Sequence, residues 1–252
     1  MAGPTVIFVH GAFCGAWAFE RFSAPFAARG LATLTPDLRG HQAGAGASAT
    51  VGVSMADYAA DLTALIAREQ SPPILIGHSL GGLAAQMAAA RAPVRALVLL
   101  APSSPWGVAG GTVEEAISAV SLYTLGPFWA QAVEPDFASA NAYSFDRMPE
   151  AERRAAFSRM VPESGRALWE TLNWWLDPLM TTSVAAIPAP VLAIAGERDR
   201  VHPPATVAQI AERYGGITEV MRGMSHWLIG EPGWESVAEA ALAWLSAERL
   251  LS

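Results

Sequence analysis

Short apolar runs that alternate with helical patterns constrain this chain more than any other feature. Residues 5–9, 31–35, 72–76, 96–100 and 190–195 read as strands, with a shorter one at 217–221. Residues 16–28, 54–66, 83–91, 204–214 and 232–250 read as helices, and Ser54 is placed to cap the second of them. Strands alternating with helices build βαβ units and a parallel sheet, an α/β fold. The alternation stops near Ser103 and resumes near Ile187. Between them lie helical patterns at 112–122, 128–132, 149–160 and 164–176, with no obvious strand and about half of the chain's aromatic residues. A helical insertion over one face of the sheet accounts for this.

The stretch Ile74-Leu75-Ile76-Gly77-His78-Ser79-Leu80-Gly81-Gly82 carries G-x-S-x-G between a strand and a helix. A serine on so sharp a turn stands out above the sheet edge, and the amide after it, Leu80, opens a helix N-terminus where negative charge is favoured. A hydroxyl is a weak nucleophile at neutral pH and needs a base. An imidazole base in turn needs a carboxylate to fix its tautomer. Asp199 follows the strand at 190–195, and His226 lies in the loop before the last helix, so the chain order is Ser79, Asp199, His226. Serine hydrolases of this architecture use that order. Glu197, two residues earlier in the same turn, is the rival of Asp199, whereas Asp37 follows a different strand and reads as a structural loop residue.

Composition narrows the partners. With 52% hydrophobic and 15% charged residues the chain is a buried globular protein, and its net charge is −7. All basic residues are arginines and none cluster, which argues against nucleic acid. Cys14 is the sole cysteine, so neither an internal disulfide nor a Cys-rich metal site is available, and a small buried filler is its expected role. The first residues have no basic region ahead of the apolar run, which His10-Gly11 interrupts early. No membrane insertion and a cytoplasmic location are therefore expected. Most rings of the insertion pack it onto the sheet, while a few are expected to roof an apolar pocket over Ser79. Phe13 and Trp106, beside strand ends, are the expected substrate contacts.

The chain resembles the α/β-hydrolases over nearly its whole length. His10-Gly11-Ala12-Phe13-Cys14-Gly15-Ala16-Trp17 resembles the opening of the plant methyl esterase and hydroxynitrile lyase subgroup. Asp37-Leu38-Arg39-Gly40-His41 resembles the D-x-x-G-H segment of such enzymes. Gly196-Glu197-Arg198-Asp199 with Pro203 resembles the segment carrying their acid, and Met224-Ser225-His226 their histidine segment. The resemblance implies a mainly parallel sheet of about six strands, with a helical cap between the fourth and fifth. Residues 1–102 and 188–252 then form the core and 103–187 the cap. It further implies Ser79 as nucleophile, His226 as base, Asp199 as orienting acid, and the Ala12 and Leu80 amides as oxyanion hole. His10 becomes a structural residue at the family's turn, while His41 and His202 read as surface or hydrogen-bonding loop residues.

The implied activity is hydrolysis of small to medium carboxylic esters through an acyl-enzyme, without cofactor or metal. Lactone or amide hydrolysis, acyl transfer, perhydrolysis and C–C bond hydrolysis run on the same triad. A non-catalytic ligand-binding protein on this scaffold, as some plant hormone receptors are, is the competing class. Dehalogenases and epoxide hydrolases carry an aspartate where Ser79 stands, and the related hydroxynitrile lyases use a lysine that this chain lacks.

Overall fold

The computed structural model describes residues 3–110, 113 and 120–251. In chain order its strands are β1 (Val6–Val9), β2 (Thr33–Leu34), β3 (Ile74–His78), β4 (Ala96–Leu100), β5 (Ala132–Val133), β6 (Glu163–Ser164), β7 (Val191–Gly196) and β8 (Ile217–Met221). Six of them form one sheet in the order β2-β1-β3-β4-β7-β8. Every neighbouring pair is parallel, with Phe8 opposite Ile76, Ile76 opposite Val98 and Val98 opposite Leu192. β1, β3, β4 and β7 are buried along their whole length, which explains why their sequences run apolar without alternation.

Strand side chains alternate between two apolar layers. Ile7, Val9, Leu75, Leu97 and Leu99 face a cluster shared with the helices Met55–Ile66, Leu80–Ala89 and Pro204–Arg213. Val6, Phe8, Ile74, Ile76 and Val98 face the opposite way, toward Phe19, Phe22, Phe26 and the helix Trp234–Ala247. Ser54 begins its helix with a reciprocal capping box to Asp57, as its position predicts.

The helix expected at 16–28 is instead a 3₁₀ segment, Ala16–Phe19, and a single turn, Ala24–Ala27. Pro25 has no N–H and its ring crowds the carbonyl four residues back, so a continuous helix cannot pass through it. The aromatic spacing survives the break: the Phe19, Phe22 and Phe26 rings stand 5.2, 6.3 and 5.2 Å from that of Phe8.

The segment between β4 and β7 holds the helices Glu150–Phe157 and Gly165–Leu172 among shorter helical turns. Two expectations change there. Residues 128–132 form only a 3₁₀ turn, Phe128–Ala130, before β5, and β5 pairs antiparallel with β6 in a strand ladder that the sequence did not suggest. The helical pattern at 112–122 lies largely outside the described residues. Among the described residues no helix is long and apolar enough to cross a membrane.

The chain leaves β1 toward β2 on one side and continues from β3 through β4, β7 and β8 on the other. The crevice beyond the carboxyl ends of β1 and β3 is thus the switch point of the sheet, where open α/β sheets bind ligands.

Candidate active site

The turn after β3 is shaped by close backbone approach. A Cβ on Gly77 would lie 2.7 Å from the Gly81 carbonyl oxygen, and one on Gly81 would lie 2.1 Å from that of His10. Only glycine at both positions lets the helix Leu80–Ala89 sit directly behind β1 and β3. Ser79 adopts φ 52° and ψ −124°. Such a conformation costs a residue with a side chain about 1–3 kcal/mol and persists only when its surroundings enforce it. Here the Ser79 N–H donates to the Leu100 carbonyl at 3.1 Å, and the Ser79 carbonyl accepts from Ser103 N–H at 2.9 Å.

The turn directs the Ser79 Oγ to His226 Nε2, 3.1 Å away. His226 Nδ1 is 2.9 Å from Asp199 Oδ2, and the Val201 and His202 amides donate to Asp199 Oδ1 at 2.8 and 2.9 Å. Burial opposes ionisation of Asp199, yet the adjacent His226 and these hydrogen bonds hold its carboxyl below the ordinary carboxylate range. An ionised carboxylate only accepts, so the ring proton of His226 sits on Nδ1 and Nε2 faces the serine hydroxyl as an acceptor. Glu197 is exposed and accepts the Gly223 N–H at 2.8 Å, away from the histidine. Asp37, in the loop after β2, accepts at 2.6 Å the N–H of Ala16, which opens the 3₁₀ segment after β1.

The other histidines divide sharply. His10 Nε2 accepts the Leu38 N–H at 2.9 Å while Nδ1 donates to the Gly11 carbonyl, also at 2.9 Å. Burial and the neighbouring His41 lower its pKa to about 4, so it is a neutral brace between two loops. His78 Nε2 donates to the His226 carbonyl at 2.9 Å, and burial together with His226 lowers its pKa to about 3. It therefore braces the loop that carries His226. His202, expected to be a surface or hydrogen-bonding loop residue, is half-buried and takes the second of these roles. Its Nε2 lies 3.0 Å from Ser103 Oγ, its ring stands 5.4 Å from that of His226, and burial and His226 lower its pKa to about 3. His41 is fully buried, 3.1 Å from the equally buried Glu163.

A cavity of about 480 Å³ opens over Ser79. Ala12 and Leu80 both line it, and among the described residues neither amide N–H meets a protein acceptor. Two free donors beside a serine hydroxyl suit a developing oxyanion. Phe13 lines the cavity as expected, and so does Cys14, whose thiol is buried and has its pKa pushed up by that burial. Trp106 does not line it. Its N–H donates to the Thr182 carbonyl and its ring packs edge-on against Trp174 at 5.7 Å, outside the cavity that Ser103 still lines. The aromatic roof also proves mostly aliphatic: of the described aromatics between 103 and 187, Tyr143 alone lines the cavity, beside Leu122, Val133, Met160 and Leu168. Among the described residues no arginine lines it. Among the described residues no group of three or more His, Cys, Asp or Glu could hold a metal ion.

The sequence model of the alpha/beta hydrolase family matches residues 6–240. The chain belongs to the alpha/beta hydrolase family. A pyrethroid hydrolase of Sphingobium wenxiniae is 35% identical to it over 82 residues, which span 32% of this chain and only 29% of that relative. Tomato methylketone synthase I superimposes with a TM-score of 0.74 at 17% identity, covering 98% of this chain and 99% of that one. The Arabidopsis methylesterase MES16 superimposes with a TM-score of 0.71 at 17% identity, covering 96% and 99%.

Within this alpha/beta hydrolase, sequence reasoning missed a buried polar cluster behind Phe13, a residue of the cavity lining. Glu163 in β6 accepts from Tyr58 Oη and Ser164 N–H at Oε1, both at 2.7 Å, and faces His41 Nε2 at 3.1 Å and Phe13 N–H at 3.3 Å with Oε2. Its partners lie up to 150 residues away in the chain. No local spacing announces them. The one available signal was His41 itself, a loop histidine at the end of the Asp37–His41 segment for which hydrogen bonding was one of two expected roles.

Proposed function

We propose that this chain is a serine esterase cleaving small to medium carboxylic esters through an acyl-enzyme at Ser79, with His226 as base and Asp199 as its orienting acid. The observation that carries this reading is the continuous hydrogen-bonded line from Ser79 Oγ through His226 to Asp199, opening into the cavity. Ser79 Oγ attacks the ester carbonyl carbon while His226 Nε2 takes its proton. The carbonyl oxygen becomes an oxyanion within reach of the Ala12 and Leu80 amides. His226 then returns the proton to the departing alcohol, and water repeats the sequence to release the acid.

The 103–187 segment serves as a cap over a core of residues 1–102 and 188–252, supplying the aliphatic wall of the cavity. A mainly apolar cavity without an arginine favours a neutral acyl group over one bearing a second carboxylate. That two similar proteins are named for hydrolysis, a pyrethroid hydrolase and a methylesterase, supports ester cleavage here. The test is turnover of aryl esters of graded acyl length, alongside lactones and amides. Ester turnover with a preference among acyl lengths, lost in Ser79→Ala and His226→Ala, is expected. Retention of near-full esterase activity by His226→Ala would refute the mechanism. Ligand binding without any turnover would favour the non-catalytic reading.

A further inference from the structure

The segment carrying Ala12 is tied to the segment carrying Glu163 at both polar atoms of one residue. Phe13 sits at φ 63°, an unfavourable conformation for a bulky side chain. Its carbonyl accepts the Val161 N–H at 2.9 Å and its N–H donates to Glu163 Oε2 at 3.3 Å. Immediately before it, Gly11 packs against Ser79, so close that a Cβ there would lie 3.0 Å from the serine Cβ. A displacement of the Ala12–Phe13 peptide would therefore carry the Ala12 Cα with it and shift the adjoining Gly11–Ala12 peptide, whose N–H is the donor, relative to the serine hydroxyl.

Glu163 is suited to hold that peptide still. It is fully buried, and four donors converge on its two oxygens, three of them from separate remote parts of the chain and the fourth from the adjacent Ser164. His41 presents Nδ1 to the Arg39 carbonyl at 3.2 Å and Nε2 to Glu163, so both ring nitrogens face acceptors, the arrangement of an imidazolium. The other titratable groups facing this pair are His10, whose ring lies 5.1 Å from that of His41, Tyr58, and the buried Cys14. A carboxylate paired in this way is fixed in place, unlike a surface residue that could swing away.

We propose that Glu163 is a positioning residue for the oxyanion hole: from the capping segment it clamps Phe13 and thereby aims the Ala12 amide at the carbonyl oxygen bound over Ser79. This rests on the acyl-transfer reading of Ser79. It links closure of the 103–187 segment on the core to completion of the catalytic site, because the clamp exists only when β6 is docked.

The test compares wild type, Glu163→Gln and Glu163→Asp in steady-state ester hydrolysis and in inhibition by an aryl trifluoromethyl ketone. Ser79 Oγ adds to the ketone carbon, its proton passes to His226, and the ketone oxygen becomes an oxyanion. Gln brings an N–H₂ where acceptors are needed, and Asp keeps the charge but is one methylene short of Phe13. In both variants kcat should fall about 10- to 100-fold, less than the 10²–10³ typical of a deleted oxyanion donor. KM should stay within about threefold, and ketone affinity should weaken by a factor matching the fall in kcat. A kcat within about twofold of wild type, a loss confined to KM, or unchanged ketone affinity would overturn the proposal. Should Glu163→Gln not fold, Glu163→Asp decides by the same criteria, since it still neutralises His41. A wild type that neither turns over esters nor takes a fluorophosphonate at Ser79 would defeat the acyl-transfer reading instead. An active wild type with unaffected variants counts against Glu163 alone.

Discussion

Two buried carboxylate–histidine pairs approach the same cavity, one through His226 in its lining and the other through Phe13, and they are built for opposite ends. Asp199 and His226 are 2.9 Å apart, Glu163 and His41 3.1 Å apart, and both carboxyls are held below their ordinary pKa against the cost of burial. The difference lies at the far nitrogen of each ring. His226 Nε2 faces a serine hydroxyl at the cavity, whereas His41 has an acceptor at both nitrogens and no reacting atom beside it. Pairing with a carboxylate does not make a histidine a base. An accessible nitrogen next to a proton that can leave does.

This contrast can be broken most severely at the reactive pair. Ser79→Ala or His226→Ala should each lower kcat for ester hydrolysis on the order of 10⁶-fold, with melting temperatures near wild type. Asp199→Asn should lower kcat about 10⁴-fold by reversing the tautomer that His226 is offered, visible in the same assay. The other pair should respond in stability more than in chemistry. His41→Ala strips the partner from a buried carboxylate, a change that costs about 3–5 kcal/mol, and denaturant titration will show it.

Subtler effects appear in the pH dependence. Burial opposes the charged form of Glu163, but His41 and its hydrogen bonds leave its pKa lowered from the ordinary 4.5. Its contribution to stability is present above about pH 4.5 and is lost as pH falls through the lowered value. Burial likewise opposes protonation of His41, but Glu163 leaves its pKa raised from 6.5. Its contribution is full below about pH 6.5 and is lost as pH rises through the raised value. The gap in melting temperature between wild type and Glu163→Gln should therefore be widest between about pH 5 and 6 and narrow on either side.

Glu231 sharpens the comparison from the other direction, as a buried carboxylate with no paired histidine. It accepts the Ser225 N–H at 2.6 Å, and among the described residues its Oε2 has no partner. Burial, with Asp146 adding to it, raises its pKa from 4.5 to about 7. Stability gained from it is full below about pH 4.5 and lost as pH rises through about 7. Glu231→Gln keeps an oxygen for Ser225 and removes the titration, so its melting temperature should gain on wild type by a few degrees at most between pH 5 and 8.

The sheet was legible because four central strands are buried on both faces, and their sequences run apolar without interruption. Ser79, Asp199 and His226 were legible because each follows a strand or precedes a helix at a characteristic spacing. Glu163, His41 and Tyr58 were not, since their meeting depends on how β6 docks and leaves no periodic trace. Trp106 misled for a related reason: proximity to a strand end says nothing about the contacts with Thr182 and Trp174 that hold it outside the cavity. A few rings of 103–187 were expected to roof the pocket, and among the described ones Tyr143 alone does so, while others pack elsewhere or lie exposed, as Trp175 does at 64%. Aliphatic residues make the wall instead.

The central claim, that Ser79 is a nucleophile driven by His226, is tested most directly by covalent trapping with a fluorophosphonate, the site being mapped by peptide mass spectrometry. The account predicts one adduct on the peptide containing Ser79, formed rapidly by native wild type, abolished in Ser79→Ala and severely slowed in His226→Ala. Labelling at another residue, or equal labelling of wild type and His226→Ala, would contradict it.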